Sequence, residues 1–454
     1  MAKAKRKFVC QQCGGASPRW QGQCDDCGGW NTLAEEAAET VFSARHDLQR
    51  GGRALALTAL DADVALPERE RTGISEFDRA LGGGLVAGSA TLIGGDPGIG
   101  KSTLLLQAAA EMARRGLSDA YIGGEAASDQ VRLRARRLGL GDAPVQLASA
   151  TSVRDILTTL GGAAAPDFLV IDSIQTMHSD LIDSAPGTVS QVRASAQELI
   201  RFAKDQGTAL VLVGHVTKDG SIAGPRVLEH MVDAVLYFEG ESGSRFRVLR
   251  AFKNRFGAVN ELGVFAMSDK GLREVPNPSA IFLSSHSGPT SGSAVMVTRE
   301  GTRPLLVEVQ ALVDQSSLGN PRRVTLGLEQ NRLAMLLAVL HRHGGVAAYD
   351  QDVFVNVVGG IRVQETAADL PVLLAVLSSL RDRPLPEHMI TFGEVGLSGE
   401  IRPVPNGEER LKEAAHHGFR RAIVPKANAP KKGRVGDMEV TGVERLSEAI
   451  DACR

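Results

Sequence analysis

The run Thr91-Leu-Ile-Gly-Gly-Asp-Pro-Gly-Ile-Gly-Lys-Ser-Thr103 constrains this chain more than any other stretch. Gly95 to Ser102 fit G-x-x-x-x-G-K-[ST], and the flanking residues decide whether such a match has structural meaning. Thr91 to Ile93 read as the end of a buried strand, and Leu104 to Met112 supply the apolar run of a helix. A strand, a glycine loop and a helix in that order are the setting of a P-loop. The glycines let consecutive backbone N–H groups turn inward on an anion, and the helix adds the positive end of its dipole. The phosphates of a nucleotide then lie against Gly95, Asp96, Pro97, Gly98, Ile99, Gly100, Lys101, Ser102 and Thr103. Lys101 reaches the β- and γ-phosphates, and the Ser102 hydroxyl ligates Mg²⁺. The pattern calls for a nucleoside triphosphate.

Beyond the loop, strands and helices alternate as in a doubly wound α/β domain. Ala120 to Ile122 make a strand with Glu125 just past its end, and Ser128 to Leu138 make a helix carrying Arg132, Arg134, Arg136 and Arg137. Those arginines form either a solvated face or a contact with DNA or another subunit. Phe168-Leu-Val-Ile-Asp172 is an apolar strand ending in a carboxylate, the Walker B pattern, which places Asp172 on Mg²⁺ directly or through water. A helix from Gln191 to Ala203 leads to a buried strand, Ala209 to Gly214, with His215 at its tip. In such sheets ligands sit outside the carboxyl ends of the strands. Gly95, Glu125, Asp172 and His215 all fall on that edge. A carboxylate near Mg²⁺ and the γ-phosphate can orient or deprotonate the attacking water, and Glu125 is assigned that role. His215 either senses the γ-phosphate or packs as a loop histidine. Ahead of the loop, Ser75 is placed to cap a short helix carrying Phe77 and Leu81, which three glycines then end.

Four of the five cysteines lie in one short segment. Cys10 and Cys13 form one C-x-x-C, Cys24 and Cys27 a second, and Gly-Gly follows each. Four thiolates make a closed tetrahedral zinc site, and in so small a segment the metal supplies most of the folding energy. Residues 34–70 are Ala-, Glu- and Arg-rich without clear periodicity and read as a linker with short extended pieces. Cysteine usage of this kind indicates a reducing compartment. The basic start, Met1 to Lys7, is followed by no apolar stretch, so no signal peptide is expected. Runs such as Leu333 to Leu340 are too short to span a bilayer, and a cytoplasmic protein without membrane association is expected. A net charge of −2 excludes a global field for nucleic acid, so any such binding must use local patches.

Two such patches stand out. Between His215 and His230, Gly220, Ala223 and Gly224 with Lys218 and Arg226 describe a positively charged loop able to track a phosphodiester backbone. Further on, Lys253-Asn-Arg-Phe-Gly257 puts Lys253 and Arg255 at a strand end, facing phosphate or an acidic neighbour. From Pro276 to Ser293 the chain is rich in Pro, Ser and Gly, a boundary signal. Beyond it lie strands such as Ala294–Thr298 and Leu305–Val309, then an apolar helix from about Arg332 to His341.

The four-cysteine motif, the P-loop, Tyr121-Ile-Gly-Gly-Glu125, Val170-Ile-Asp-Ser-Ile-Gln-Thr176 and Lys253-Asn-Arg-Phe-Gly257 occur in that order. Together with Ser184 to Arg193 and Gly214 to Gly220, they resemble the bacterial RadA (Sms) DNA repair proteins over essentially the whole chain. One departure is Gly124-Glu125-Ala-Ala127, where the family usually has Glu-Glu-Ser; Glu125 itself remains. The tail also resembles the proteolytic domain of Lon-type proteases, notably at Gly393-Glu-Val-Gly-Leu-Ser-Gly-Glu-Ile-Arg-Pro-Val404. Aligned that way, Ala368 stands at the nucleophile and Glu408 at the lysine base, so Ser-Lys chemistry is lost.

The resemblance implies a four-cysteine zinc finger (1–33), a linker (34–70), a RecA-like P-loop ATPase core of α/β fold (71–275) and an α+β Lon-protease-like domain without peptidase activity (276–454). It further implies ATP, Mg²⁺ and Zn²⁺ as cofactors, single-stranded and branched DNA and the RecA recombinase as partners, and a homohexameric, helicase-like ring that promotes strand exchange and branch migration. Lys253 and Arg255 are then candidates for catalytic cations supplied across a subunit interface. The competing reading is a nucleotide-switched scaffold that moves no DNA.

Overall fold

A computed structural model describes the chain except for residues 1–5, 11–15, 26–27, 38–67, 163, 216–225, 241–244, 280–282, 284–287, 289, 317–319, 361 and 454. The chain packs as two units, Met1–Val275 and Pro276–Arg454.

The first unit begins with a small antiparallel sheet in which β1 (Arg6–Cys10) lies between β2 (Ala16–Ser17) and β3 (Leu33–Ala37). Pairing of Arg6 with Ala37 carries β3 past Leu33 into the stretch read as linker. Its Leu-Ala-Glu-Glu-Ala composition gives no β-propensity, and the strand is imposed by its partner β1. Cys10, Cys24 and Leu33 are buried together, with Phe8 against them. β4 (Arg69–Glu70) then pairs with β5 (Leu85–Val86), bracketing α1 (Ser75–Ala80). Ser75 does not cap α1. Ile74 holds the cap position in extended conformation, with no side-chain cap bond, and Ser75 is already the first helical residue. The turn is fixed instead by Asp78, whose Oδ1 accepts from the Thr72 amide and hydroxyl, both at 2.8 Å.

The main sheet has nine strands. In chain order they are β6 (Ala90–Gly95), β7 (Asp119–Gly123), β8 (Gln146–Ser149), β9 (Phe168–Asp172), β10 (Ala209–Val213), β11 (Ala234–Glu239), β12 (Phe246–Asn254), β13 (Leu262–Ser268) and β14 (Gly271–Glu274). Their spatial order is β14-β13-β12-β11-β6-β10-β9-β7-β8. From β11 to β8 the pairings are parallel, and from β11 outward to β14 they are antiparallel. The central strands are buried on both faces, which explains their unbroken apolar sequences.

One face is covered by α1, α2 (Lys101–Arg114) and α3 (Ser128–Arg137), through residues such as Phe77, Leu104, Ala108 and Val131. The other is covered by α4 (Val153–Gly162), α5 (Val189–Gln206) and α6 (Arg226–Met231), through Ile156, Val192, Leu199 and Leu228. α2 and α5 each extend two or three residues beyond their apolar runs at both ends, because caps and polar end turns carry no periodic signal. Thr188 illustrates this, its side chain accepting from the Gln191 amide at the start of α5. On α3, Ala127 holds the cap position without a side-chain bond, a place where Ser, Thr, Asp and Asn are the preferred residues.

The second unit is an eight-stranded mixed sheet. It is centred on the long hairpin of β15 (Ser293–Glu300) and β16 (Arg303–Gln315). Outward from β16 lie β17 (Arg323–Leu326) and β18 (Gln351–Val357), with β18 in between. On the other side β15 joins β19 (Met389–Thr391) and then strands Arg421–Pro425, Met438–Val443 and Arg434–Val435. Helices α7 (Gln330–Gly344) and α8 (Asp369–Leu380) pack on it, α8 being buried along nearly its whole length. Among the described residues no helix is long and apolar enough to cross a membrane.

Candidate active site

The parallel register puts the ends of β6, β7, β9 and β10 on one edge, so Gly95, Glu125, Asp172 and His215 leave the sheet together. The P-loop turns there. Gly95 and Gly100 have φ of 147° and 124°, and a Cβ would stand 2.6 Å from the Phe238 carbonyl at Gly95 and 2.8 Å from Met267 at Gly100. No other residue type fits either position. Lys101 opens α2 and is buried, its ammonium donating to the carbonyls of Gly95 at 2.7 Å and Asp96 at 2.9 Å. Burial lowers its pKa, against the opposing pull of Asp172, Asp96 and Glu125. That pull identifies the grouping: one buried cation beside three carboxylates, at the turn of the P-loop.

Glu125 does not stand alone. Its Oε1 accepts from the Ser173 hydroxyl at 2.6 Å and faces His215 Nε2 at 3.3 Å, while half of the side chain remains exposed. Ser173, directly after Asp172, is itself buried, and its carbonyl accepts from Thr176 Oγ1 at 2.9 Å. Asp172 accepts a hydrogen bond at Oδ2 from the Tyr121 hydroxyl. Neither Ser173 nor Tyr121 was singled out for a role in the sequence, although both lie inside the two motifs that flank the site. His215 thus lies at the Glu125 carboxylate; its Nδ1 is buried with no partner among the described residues. Lys218, Gly220, Ala223 and Gly224 lie outside the described residues.

Lys253 and Arg255 are elsewhere. β12 runs antiparallel to β11, with Asn254 opposite Ala234 and Ala234 opposite Thr91, so its last residues reach the start of β6. Arg255 Nη1 bonds Asp233 Oδ1 at 3.1 Å, and Asp233 Oδ2 accepts from the Ala90 amide at 3.1 Å. From Ala90 to Gly95 the strand covers about 16 Å, so Arg255 is on the opposite edge of the sheet from its own P-loop. The two cations also differ. Lys253 Nζ donates to the carbonyls of Glu229 at 2.6 Å and Val232 at 2.7 Å, whereas the Arg255 guanidinium is 55% exposed. Between them Asn254 is buried, bonding the Leu81 carbonyl at 3.0 Å and the Phe256 amide at 2.9 Å. On α3, Arg132 pairs with Asp129 at 2.8 Å, and Arg136 and Arg137 are exposed.

In the N-terminal sheet Cys10 ends β1, and Cys24 sits in a turn closed by Gly28 N to Cys24 O at 2.8 Å and Cys24 N to Gly29 O at 2.9 Å. Both cysteines are buried. Cys13 and Cys27 lie outside the described residues. Two buried sulfurs, in a segment with almost no apolar core, are half of the four-thiolate donor set that a structural Zn²⁺ takes.

In the second unit Ala368 is buried at the end of a helical turn, Thr366–Ala368, beside a cavity of about 780 Å³ that Thr366, Asp369, Arg332 and Arg362 also line. Glu408 is exposed and pairs with Lys412 at 2.6 Å. The buried cation here is Arg410, 1% exposed, bonded to Glu365 Oε1 at 2.8 Å, the Val297 carbonyl at 2.6 Å and the Pro405 carbonyl at 3.0 Å.

A curated relative from Pseudomonas aeruginosa, named DNA repair protein RadA, is 60% identical over 454 residues, covering 100% of this chain and 99% of its own length. The chain belongs to the RadA family. Members from Escherichia coli K12 and Bacillus subtilis, which carry the same name, are 58% and 47% identical over 99% of this chain and of their own lengths. Three family models match: a rubredoxin metal binding domain at residues 8–35, an AAA domain at 61–221, and the subunit ChlI of Mg-chelatase at 329–428. The RadA fold is therefore α/β, with an N-terminal zinc ribbon, a RecA-like ATPase core and a Lon-like C-terminal part. The ATPase core implies a bound nucleotide, and the ribbon implies zinc.

Proposed function

We propose that this chain is a DNA-dependent ATPase of recombinational repair. On this reading it binds single-stranded and branched DNA, works with the RecA recombinase in strand exchange and branch migration, and assembles as a homohexameric, helicase-like ring in the cytoplasm. The observation that carries the reading is the division of charged groups between the two edges of one sheet. Lys101, Glu125 and Asp172 surround the nucleotide position, while Lys253 and Arg255 are held on the far edge, out of reach of it. Cations so placed serve a nucleotide only when another subunit presents it, which is the logic of a ring with sites between neighbours.

The assignments follow. ATP phosphates lie on residues 95–103, Mg²⁺ on Ser102 and Asp172, and the attacking water at Glu125. When bound, Mg²⁺ neutralises charge on the β- and γ-phosphates. Ser173 and His215 both meet the Glu125 carboxylate at Oε1 and so help to hold its direction. Zinc is held by Cys10, Cys13, Cys24 and Cys27. The parts are the zinc finger (1–33, its sheet completed by β3 through Ala37), the linker (34–70), the ATPase (71–275) and the Lon-like part (276–454). The Lon-like part is not a peptidase: it offers a methyl group at Ala368, and its buried cation is an arginine, which cannot deprotonate to serve as a base.

ATPase turnover at low salt with and without single-stranded oligonucleotide tests the reading. Stimulation of severalfold is expected, falling as salt rises because phosphate contacts release counterions. Turnover indifferent to DNA at every salt concentration would favour the nucleotide-switched scaffold instead, and degradation of casein would restore the peptidase.

For the metal, one Zn²⁺ per chain is expected in protein purified under reducing conditions, with thiolates released on chelation. The loss should impair DNA or partner binding more than ATP binding. Metal analysis that finds no zinc would remove the ribbon's folding ligand.

A further inference from the structure

We propose that Tyr121 is a positioning residue that holds the Mg²⁺-binding carboxylate of this ATPase, Asp172, in working geometry. The inference rests on the assignment of Asp172 to Mg²⁺. Tyr121 lies on β7 opposite Val170 of β9, two residues before Asp172. Its ring is 1% exposed and belongs to the core layer between the sheet and α2. From there the hydroxyl reaches the carboxyl edge, where it donates to Asp172 Oδ2. One phenol anchored in the core thus holds the carboxylate at the end of β9 from the neighbouring strand.

The chemistry gives this contact a purpose. A carboxylate at a strand end can rotate about its side-chain bonds and offer either oxygen. A phenol donor on Oδ2 stops that rotation and leaves Oδ1 for the metal or its water. Groups of this kind, one bond away from a metal's ligands, orient those ligands and are worth about 10- to 100-fold in metal affinity. A phenol is protonated at physiological pH, so it serves as the donor in this pair. A phenylalanine would fill the same core volume and remove only the donor.

Tyr121→Phe therefore separates the two roles. Mn²⁺ binding to the full chain with ADP, read by electron paramagnetic resonance, should weaken about tenfold. ADP binding in EDTA should stay at the wild-type level, which also reports an intact P-loop. Hydrolysis should need correspondingly more Mg²⁺ and recover its kcat at saturation. Unchanged Mn²⁺ affinity would overturn the proposal, and so would an equal loss of ADP binding in EDTA, which would make Tyr121 a packing residue only. Asp172→Asn is measured alongside: if it binds Mn²⁺ and ADP like wild type, the assignment of Asp172 fails, whatever Tyr121→Phe does.

Discussion

Lys101→Ala is expected to lower ATP hydrolysis by several orders of magnitude while leaving the thermal unfolding profile almost unchanged. The ammonium stands among the carboxylates of Asp172, Asp96 and Glu125. With it removed, a triphosphate brought to the P-loop meets three carboxylates and loses the charge that offsets its β- and γ-phosphates. The fold has little to lose, because the amine bonds only the carbonyls of Gly95 and Asp96. Steady-state turnover and a melting curve on the same preparation are sufficient. Near-wild-type turnover would place hydrolysis somewhere other than this loop.

Arg255→Ala should bind ATP nearly normally yet hydrolyse it about 10³-fold more slowly, the loss typical of a missing arginine finger. Lys253→Ala should act in the same direction through a different cause. Its amine is bound to the Glu229 and Val232 carbonyls, so its removal loosens the segment that carries Arg255. The decisive measurement is a mixture. Lys101→Ala protein combined with Arg255→Ala protein should regain part of the activity, because some interfaces then pair an intact P-loop with an intact Arg255. If mixed rings form and recover nothing, Arg255 acts within its own chain or on DNA. Its bond to Asp233, and through Asp233 to the first residue of β6, would then be a structural tie only.

Much of the architecture was legible because buried parallel strands write themselves as apolar runs. Phe168–Asp172 has the ends that its sequence marks, and the strand–loop–helix of the P-loop lies where the glycines put it. Alternation of strands and helices further implied that Gly95, Glu125, Asp172 and His215 share an edge, since parallel strands all end on the same side. What could not be read was anything set by register between distant segments. Tyr121 meets Asp172 only because β7 and β9 pair as they do, and Ser173 turns to Glu125 only once both strands have ended. The position of Arg255 behind the P-loop depends on an antiparallel excursion through β12 that no local pattern announces. Ser75 misled because a serine ahead of apolar residues is a common cap, whereas here Asp78 already secures the turn. β3 was hidden by its composition, being a strand by virtue of its neighbour alone.

The bonds from Lys101 to its own loop have a bearing on exchange. A buried ammonium left without acceptors would make the departure of a nucleotide costly, and product would cling to the site. Two carbonyls of the loop itself, 2.7 and 2.9 Å away, supply such acceptors. On the assignment proposed above, an arriving triphosphate would compete with them for the same ammonium, and a departing one would hand it back. The same two contacts would then ease exchange of the nucleotide.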